Sequence, residues 1–250
     1  MKSNSINICL AIPVNSDNYK DLELVIREGI GSGSNFIEFR FDYLKNEELI
    51  TLNFLRNLKK LIPATISSIF TLRHHSEGGK LKINEYKREK IIQRFIEAKP
   101  DFIDIEMNSS KDLLKKIKDI FDNYNIKLIF SYHDFIKTPD FNHSKSIVDK
   151  FEHLLLDELN FNIETINNSV YKLVFTAQEF RNNFIPIKIC KFYSKLNRKI
   201  ISFCMGDLGI ISRIYCLHNG AFLTYGSFME ETAPGQISSK DIKDWLEIDI

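Results

Sequence analysis

A lysine stands alone inside an apolar run at Val170-Tyr171-Lys172-Leu173-Val174. Desolvating an ammonium is expensive, so a lysine in such a setting needs either water at a strand rim or a chemical purpose. A histidine closes another run, Ser131-Tyr132-His133, and Arg40, Arg73 and Arg213 stand within or just beyond further ones. In Phe36-Ile37-Glu38-Phe39-Arg40-Phe41-Asp42-Tyr43, charges alternate with apolar and aromatic residues. An extended chain would therefore put Glu38, Arg40 and Asp42 on one face and the aromatics on the other. With the aromatic face packed under helices the charges point inward, which predicts at least a Glu38–Arg40 pair.

Together these residues spell one kind of chemistry. A lysine among fixed cations yields its proton more readily, and a neutral amine attacks a ketone to form an imine, which acts as an electron sink. His133 is suited to take a proton from the carbon beside that imine and to hand it to a leaving hydroxyl. Glu77, in Arg73-His74-His75-Ser76-Glu77-Gly78-Gly79, would hold the imidazole in one tautomer and support its charged form. Arginines suit bidentate contact with a substrate carboxylate. The reading is Schiff-base catalysis on a small keto acid, with proton abstraction α to the carbonyl.

Other polar residues read as structural. His74 and His75 belong to a polar loop exposed to solvent, and His143, His153 and His218 have no partner pattern. Gly31-Ser32-Gly33 precedes a strand rather than opening a helix, so it fails as a dinucleotide fingerprint. The run 87–94 is a solvated helix face. Asp104 and Glu106 share a face of their strand, and Glu106 is either a partner of His133 or Lys172 or a barrel-filling ion pair. Cys9, Cys190, Cys204 and Cys216 lack any C-x-x-C pair and read as reduced core residues, not disulfides or zinc ligands.

The elements that must position these groups recur regularly. Strand-like runs span 8–14, 36–43, 66–73, 102–107, 128–133, 170–177, 200–205 and 222–227, with helical spacing and mixed charge between them, as in 21–30 and 87–98. Alternation of this kind gives parallel strands with crossover helices, and eight units favour closure into an α/β (β/α)8 TIM barrel over an open sheet. In such barrels the carboxyl ends of the strands carry the active face, which is where the charged residues fall. The 250 residues, with no Pro/Gly/Ser-rich linker, predict a single domain over 1–250 and no second domain. Lys+Arg 34 against Asp+Glu 33 leaves no overall field to gather nucleic acid or an anionic membrane. An amino terminus too short and strand-like for a signal peptide, and no long apolar stretch, predict a soluble cytoplasmic protein.

The segments 36–44, 70–79, 103–107, 130–135, 171–177, 205–213 and 224–236, read in order, resemble the type I 3-dehydroquinate dehydratase family. The resemblance implies a (β/α)8 barrel, usually a homodimer, with no cofactor and no metal. It also implies syn dehydration of 3-dehydroquinate to 3-dehydroshikimate through a lysine imine in the shikimate pathway, which leads to chorismate and the aromatic amino acids. By position, Lys172 resembles the imine-forming lysine, His133 the general acid/base and Glu77 its carboxylate partner. Arg213, helped by Gln236, matches the arginine that grips the substrate carboxylate, while Glu38, Arg40 and Arg73 match residues that reach the ring hydroxyls. Thr232 stands where many members have Ser, keeping the hydroxyl in a tighter loop, and Ala11 replaces a Ser of some members. Shielding an imine from hydrolysis calls for a lid, expected over 227–236 with Gly226 and Gly235 as hinges. Two alternatives remain at this stage. One is a Schiff-base class I aldolase, with a phosphate site near Gly206, Gly209 and Arg213. The other is a non-catalytic ligand-binding barrel, which loss of Lys172 or His133 would have favoured.

Overall fold

Apolar residues that alternate with inward polar ones need cover on both faces, and a closed parallel sheet wrapped in helices supplies it. The computed structural model describes residues 6–121, 124, 126–227 and 237–246. Eight strands arise where expected: β1 (Ile8–Pro13), β2 (Phe36–Arg40), β3 (Ser67–Thr71), β4 (Phe102–Glu106), β5 (Lys127–His133), β6 (Val170–Thr176), β7 (Lys199–Met205) and β8 (Thr224–Ser227). A two-residue β9 (Ile237–Ser238), which the sequence did not signal, adds to β8. All pairings are parallel, in the order β7-β6-β5-β4-β3-β2-β1-β8-β9. Among the described residues no ladder joins β7 to β8. The seam is bridged instead by the Phe222 N–H donating to the Ile200 carbonyl at 2.7 Å and by the Phe203 and Tyr225 rings at 6.0 Å. The fold is the expected single-domain (β/α)8 barrel.

Helices α1 (Tyr19–Gly31), α2 (Leu52–Lys60), α3 (Glu85–Ala98), α4 (Lys111–Phe121), α5 (Phe141–His153), α6 (Ile163–Asn168), α7 (Phe184–Lys195), α8 (Ile210–His218) and α9 (Ser239–Leu246) complete the units. Side-chain oxygens of Asn18, Thr51, Asn84 and Asp140 cap α1, α2, α3 and α5 by accepting otherwise orphaned N–H groups. The aromatic face of β2 packs outward as expected. Phe41 meets Phe70 at 5.1 Å and Phe95 of α3 at 4.9 Å.

Inside the barrel, side chains from alternate strands stack in layers. Phe36, Phe102 and Phe222 meet ring to ring at the bottom, and Cys9, Ile69, Ile129 and Ile201 of the odd-numbered strands lie in the same apolar cluster. Further along each even strand the character changes: Glu38, Asp104, Lys172 and Tyr225 form one buried polar layer where such barrels ordinarily place Val, Ile or Leu. All four cysteines are buried thiols, as expected. No helix among the described residues is long and apolar enough to cross a membrane.

Candidate active site

The polar layer is built around the Lys172 amine. Its Nζ donates to Asp104 Oδ2 at 3.1 Å and to Tyr225 Oη at 3.0 Å, and lies 3.5 Å from Glu38 Oε1. It also sits 4.2 Å from the Tyr225 ring centroid. Lys172 thus points into the barrel and is only 4% exposed, which excludes a strand-rim lysine with its amine in water. One expectation needs correction: the charged groups nearest the amine are carboxylates, not arginines. An ammonium taken from water needs opposite charge at contact distance, and Glu38 and Asp104 supply it.

The Glu38–Arg40 pair expected from alternation does not form. Strand β2 stops at Arg40, and Phe41–Tyr43 turns as a short 3-10 segment that swings Asp42 beside Arg40. The guanidinium then donates twice, from Nε and Nη2, to Asp42 at 2.8 and 2.9 Å. Glu38 lies a layer deeper, where its Oε1 accepts from Thr71 Oγ1 at 2.7 Å. Residues two apart on a strand point the same way but sit about 6–7 Å apart along it, so the turn residue wins the pairing.

Just above the lysine, Arg73 ties the layer together. Its Nη2 donates to Asp104 at 2.9 Å, and its Nη1 to Glu106 at 2.8 Å and to Ser131 Oγ at 2.6 Å. Burial opposes both charges, yet Arg73 and then Lys172 hold the Asp104 carboxyl well below the usual range, while Asp104 and Glu106 keep the guanidinium above its own. Glu106 also pairs with Arg88 of α3 and accepts the His74 N–H at 2.8 Å. Of the two roles considered for Glu106, the structure realises the barrel-filling ion pair. Asp104, left unplaced by the sequence, is a direct partner of the lysine.

His133 ends β5, opposite Val174 in a register that puts Ser131 opposite Lys172. Its backbone N–H donates to Glu77 Oε2 at 3.0 Å, and its Nδ1 lies 2.9 Å from the same oxygen. Glu77 Oε1 accepts from Asn108 at 3.0 Å. With Glu77 ionised, this network puts the ring proton on Nδ1 and leaves Nε2 with a free lone pair. Burial pushes the Glu77 carboxyl up to about 7, with Arg73 opposing and Glu106 reinforcing. Burial, then Arg73 and Lys172, drive the His133 imidazole well below its ordinary value, so the resting ring is neutral. The turn delivering Glu77 depends on glycine: Gly78 has φ 85°, and a Cβ on Gly79 would lie 1.9 Å from the Arg73 carbonyl oxygen.

Lys172, His133, Glu77, Arg40, Arg213 and Tyr225 all line one cavity of about 280 Å3 at the carboxyl ends of the strands. Glu38, Arg73 and Lys80 line it too. Arg213, from α8, is buried and stacks its guanidinium over the Phe203 ring at 4.3 Å. Five basic side chains against two carboxylates give the cavity a cationic lining suited to a small anion, with Arg213 at one wall and Lys172 at the floor. Lys80, Asp104 and Tyr225 were not read from sequence as site residues. Only the inward polarity of β4 hinted at Asp104, whereas a tyrosine in a strand carries no signal of its own. Thr232, Gln236, Gly235 and the expected lid from 228 on lie outside the described residues. His143, His153 and His218 are exposed and away from the cavity, as expected. Among the described residues no group of three or more His, Cys, Asp or Glu is arranged to hold a metal ion.

Residues 10–250 match the family model described as type I 3-dehydroquinase. A 3-dehydroquinate dehydratase of Methanococcus maripaludis (strain C7) is 30% identical over 241 residues, covering 96% of this chain and 99% of that protein. The crystal structure of a type I 3-dehydroquinate dehydratase from Clostridium difficile, with covalent modified comenic acid, superposes with a TM-score of 0.79 at 26% identity, covering 97% of this chain and 91% of that one. A 3-dehydroquinate dehydratase from Geobacillus kaustophilus shares the fold at a TM-score of 0.80 and 20% identity, covering 98% and 91%.

Proposed function

This chain belongs to the type I 3-dehydroquinase family, and from that membership we propose that it dehydrates 3-dehydroquinate to 3-dehydroshikimate, in the shikimate pathway, through an imine on Lys172. The observation that carries the reading is a buried amine and a neutral, carboxylate-oriented imidazole lining one cationic cavity. The amine attacks the ketone carbon, the carbonyl oxygen leaves as water, and the iminium draws electrons from the neighbouring carbon. His133 Nε2 takes the proton from that carbon and returns it to the hydroxyl departing from the next one, on the same face. Hydrolysis of the imine frees product and lysine. Arg213, helped by Gln236, grips the substrate carboxylate, while Glu38, Arg40 and Arg73 meet the ring hydroxyls. No cofactor or metal enters these steps.

Sodium borohydride added with 3-dehydroquinate should reduce the imine and leave a mass increment on the peptide that contains Lys172. Labelling elsewhere, or none, would sink the reading. The dyad sets a pH dependence. Below about 7 the raised Glu77 carboxyl holds a proton, which it points at Nδ1, so that Nε2 carries the ring hydrogen and ceases to be a base. The acidic limb of kcat/KM is therefore expected near pH 7, and Glu77→Gln should erase it while lowering kcat roughly tenfold or more. A limb unchanged in that variant would remove Glu77 from the mechanism.

The same membership supports a cytoplasmic homodimer. Phe180, Phe184, Leu208, Ile211 and Tyr215, exposed on neighbouring elements around α7 and α8, form the apolar surface suited to a second copy. Sedimentation at micromolar concentration distinguishes dimer from monomer.

A further inference from the structure

Among the described residues the Tyr225 hydroxyl makes one hydrogen bond, accepting from Lys172 Nζ at 3.0 Å. Its own hydrogen is not used in that bond. Burial, then Glu38, raise the phenol well above its ordinary value, so it keeps that hydrogen at any working pH. The ring is fixed, buried to 4% exposure on β8, and packed against Phe203. The other two contacts of the amine, Asp104 and Glu38, are acceptors already engaged by Arg73, Ser131 and Thr71. Of the groups touching Nζ, the phenol alone brings a donor to the cavity, whose wall it forms in part.

We propose that Tyr225 is a further catalytic residue, whose O–H donates to the ketone oxygen of the substrate during imine formation. This rests on the Lys172 reading above. When the neutral amine attacks, the C–N bond forms and the carbonyl π pair moves onto oxygen. In the resulting carbinolamine, nitrogen and oxygen sit on one carbon, so a donor in contact with Nζ is also in reach of that oxygen. The phenol stabilises the charge growing there and is fixed before the reaction, which is what makes such donors effective. It keeps its proton throughout. One proton passes from the attacking nitrogen to that oxygen, a second from solvent turns the hydroxyl into water, and the nitrogen lone pair forms C=N as that water leaves. Tyr225 therefore acts on the first half of the cycle and His133 on the second.

Tyr225→Phe removes one oxygen and keeps the ring, leaving Lys172 paired with Asp104. Rapid-quench borohydride trapping with 3-dehydroquinate reads imine formation directly, and loss of 18O from the labelled keto oxygen reads its reversal. Both rates should fall roughly 100-fold in the variant, the scale set by removal of one preorganised donor to a developing oxyanion. KM should stay within about threefold and the melting curve close to wild type, since the phenol is asked to act mainly in the transition state. Trapping in Tyr225→Phe within about fivefold of wild type, with the wild type labelled on Lys172, overturns the role of the tyrosine alone. No adduct in either protein overturns the imine reading, and the proposal with it.

Discussion

Lys172→Ala should lower turnover of 3-dehydroquinate by at least about 10⁴-fold, the scale seen when a covalent nucleophile is removed from a site that otherwise remains. Binding should survive better than rate. Arg213 and the other cationic wall residues do not depend on the amine, and product analogues should still bind within about tenfold, as read by calorimetry. The fold survives because each carboxylate keeps a partner: Asp104 stays bound by Arg73 and Ser131, and Glu38 by Thr71. Lys172→Arg is the sharper comparison. It preserves positive charge between Glu38 and Asp104, but a guanidinium stays protonated and cannot attack a carbonyl, so it should be as inactive as the alanine variant. If either variant kept more than about one-hundredth of wild-type activity, the covalent route would be wrong.

Much of this site was legible because its residues break the pattern of their strands. A lysine amid Val170, Tyr171, Leu173 and Val174, or charges alternating with Phe39 and Phe41, contradict what a buried parallel strand otherwise contains. Eight evenly spaced runs then gave the barrel, and the barrel rule gave the active face. Pairing was less legible. Period-two alternation puts Glu38 and Arg40 on one face but says nothing about which partner each finds across the barrel. That depends on the stagger between strands, which brings Glu38 to Lys172 and Thr71, and on the turn that rotates Asp42 onto Arg40. The same stagger hides the four-membered layer: Glu38, Asp104, Lys172 and Tyr225 are separated by 66, 68 and 53 positions, and only closure makes them neighbours. Tyr225 was invisible for a further reason. Tyrosine favours strands, so its presence in one raises no question until the hydroxyl is seen against an amine.

Loss of the imidazole should separate the two halves of the cycle. His133→Ala is expected to cut kcat by about 10³-fold, within the range for removing a general acid/base. Unlike the lysine variants, it should still join substrate to Lys172, because amine, carboxylate grip and phenol all remain. The covalent intermediate would then accumulate, and intact-protein mass spectrometry without borohydride should detect it as a stable adduct. Lack of any adduct alongside lost activity would mean that His133 is needed before the imine forms, and a kcat within tenfold of wild type would remove it from proton transfer altogether. Stability gives an independent check with a definite sign. The folded protein depresses the His133 pKa, so its neutral ring contributes stability that is full above the unfolded value, near 6.5, and is lost as pH falls below it. Glu77 acts in the opposite sense: its carboxyl, raised to about 7, favours folding at low pH and loses that contribution as pH rises from about 4.5 through 7. Denaturation midpoints measured from pH 5 to 8 should therefore fall more steeply with rising pH in His133→Ala than in wild type. In that variant the Glu77 contribution is no longer offset by the histidine, and parallel curves would show that His133 supplies no such offset.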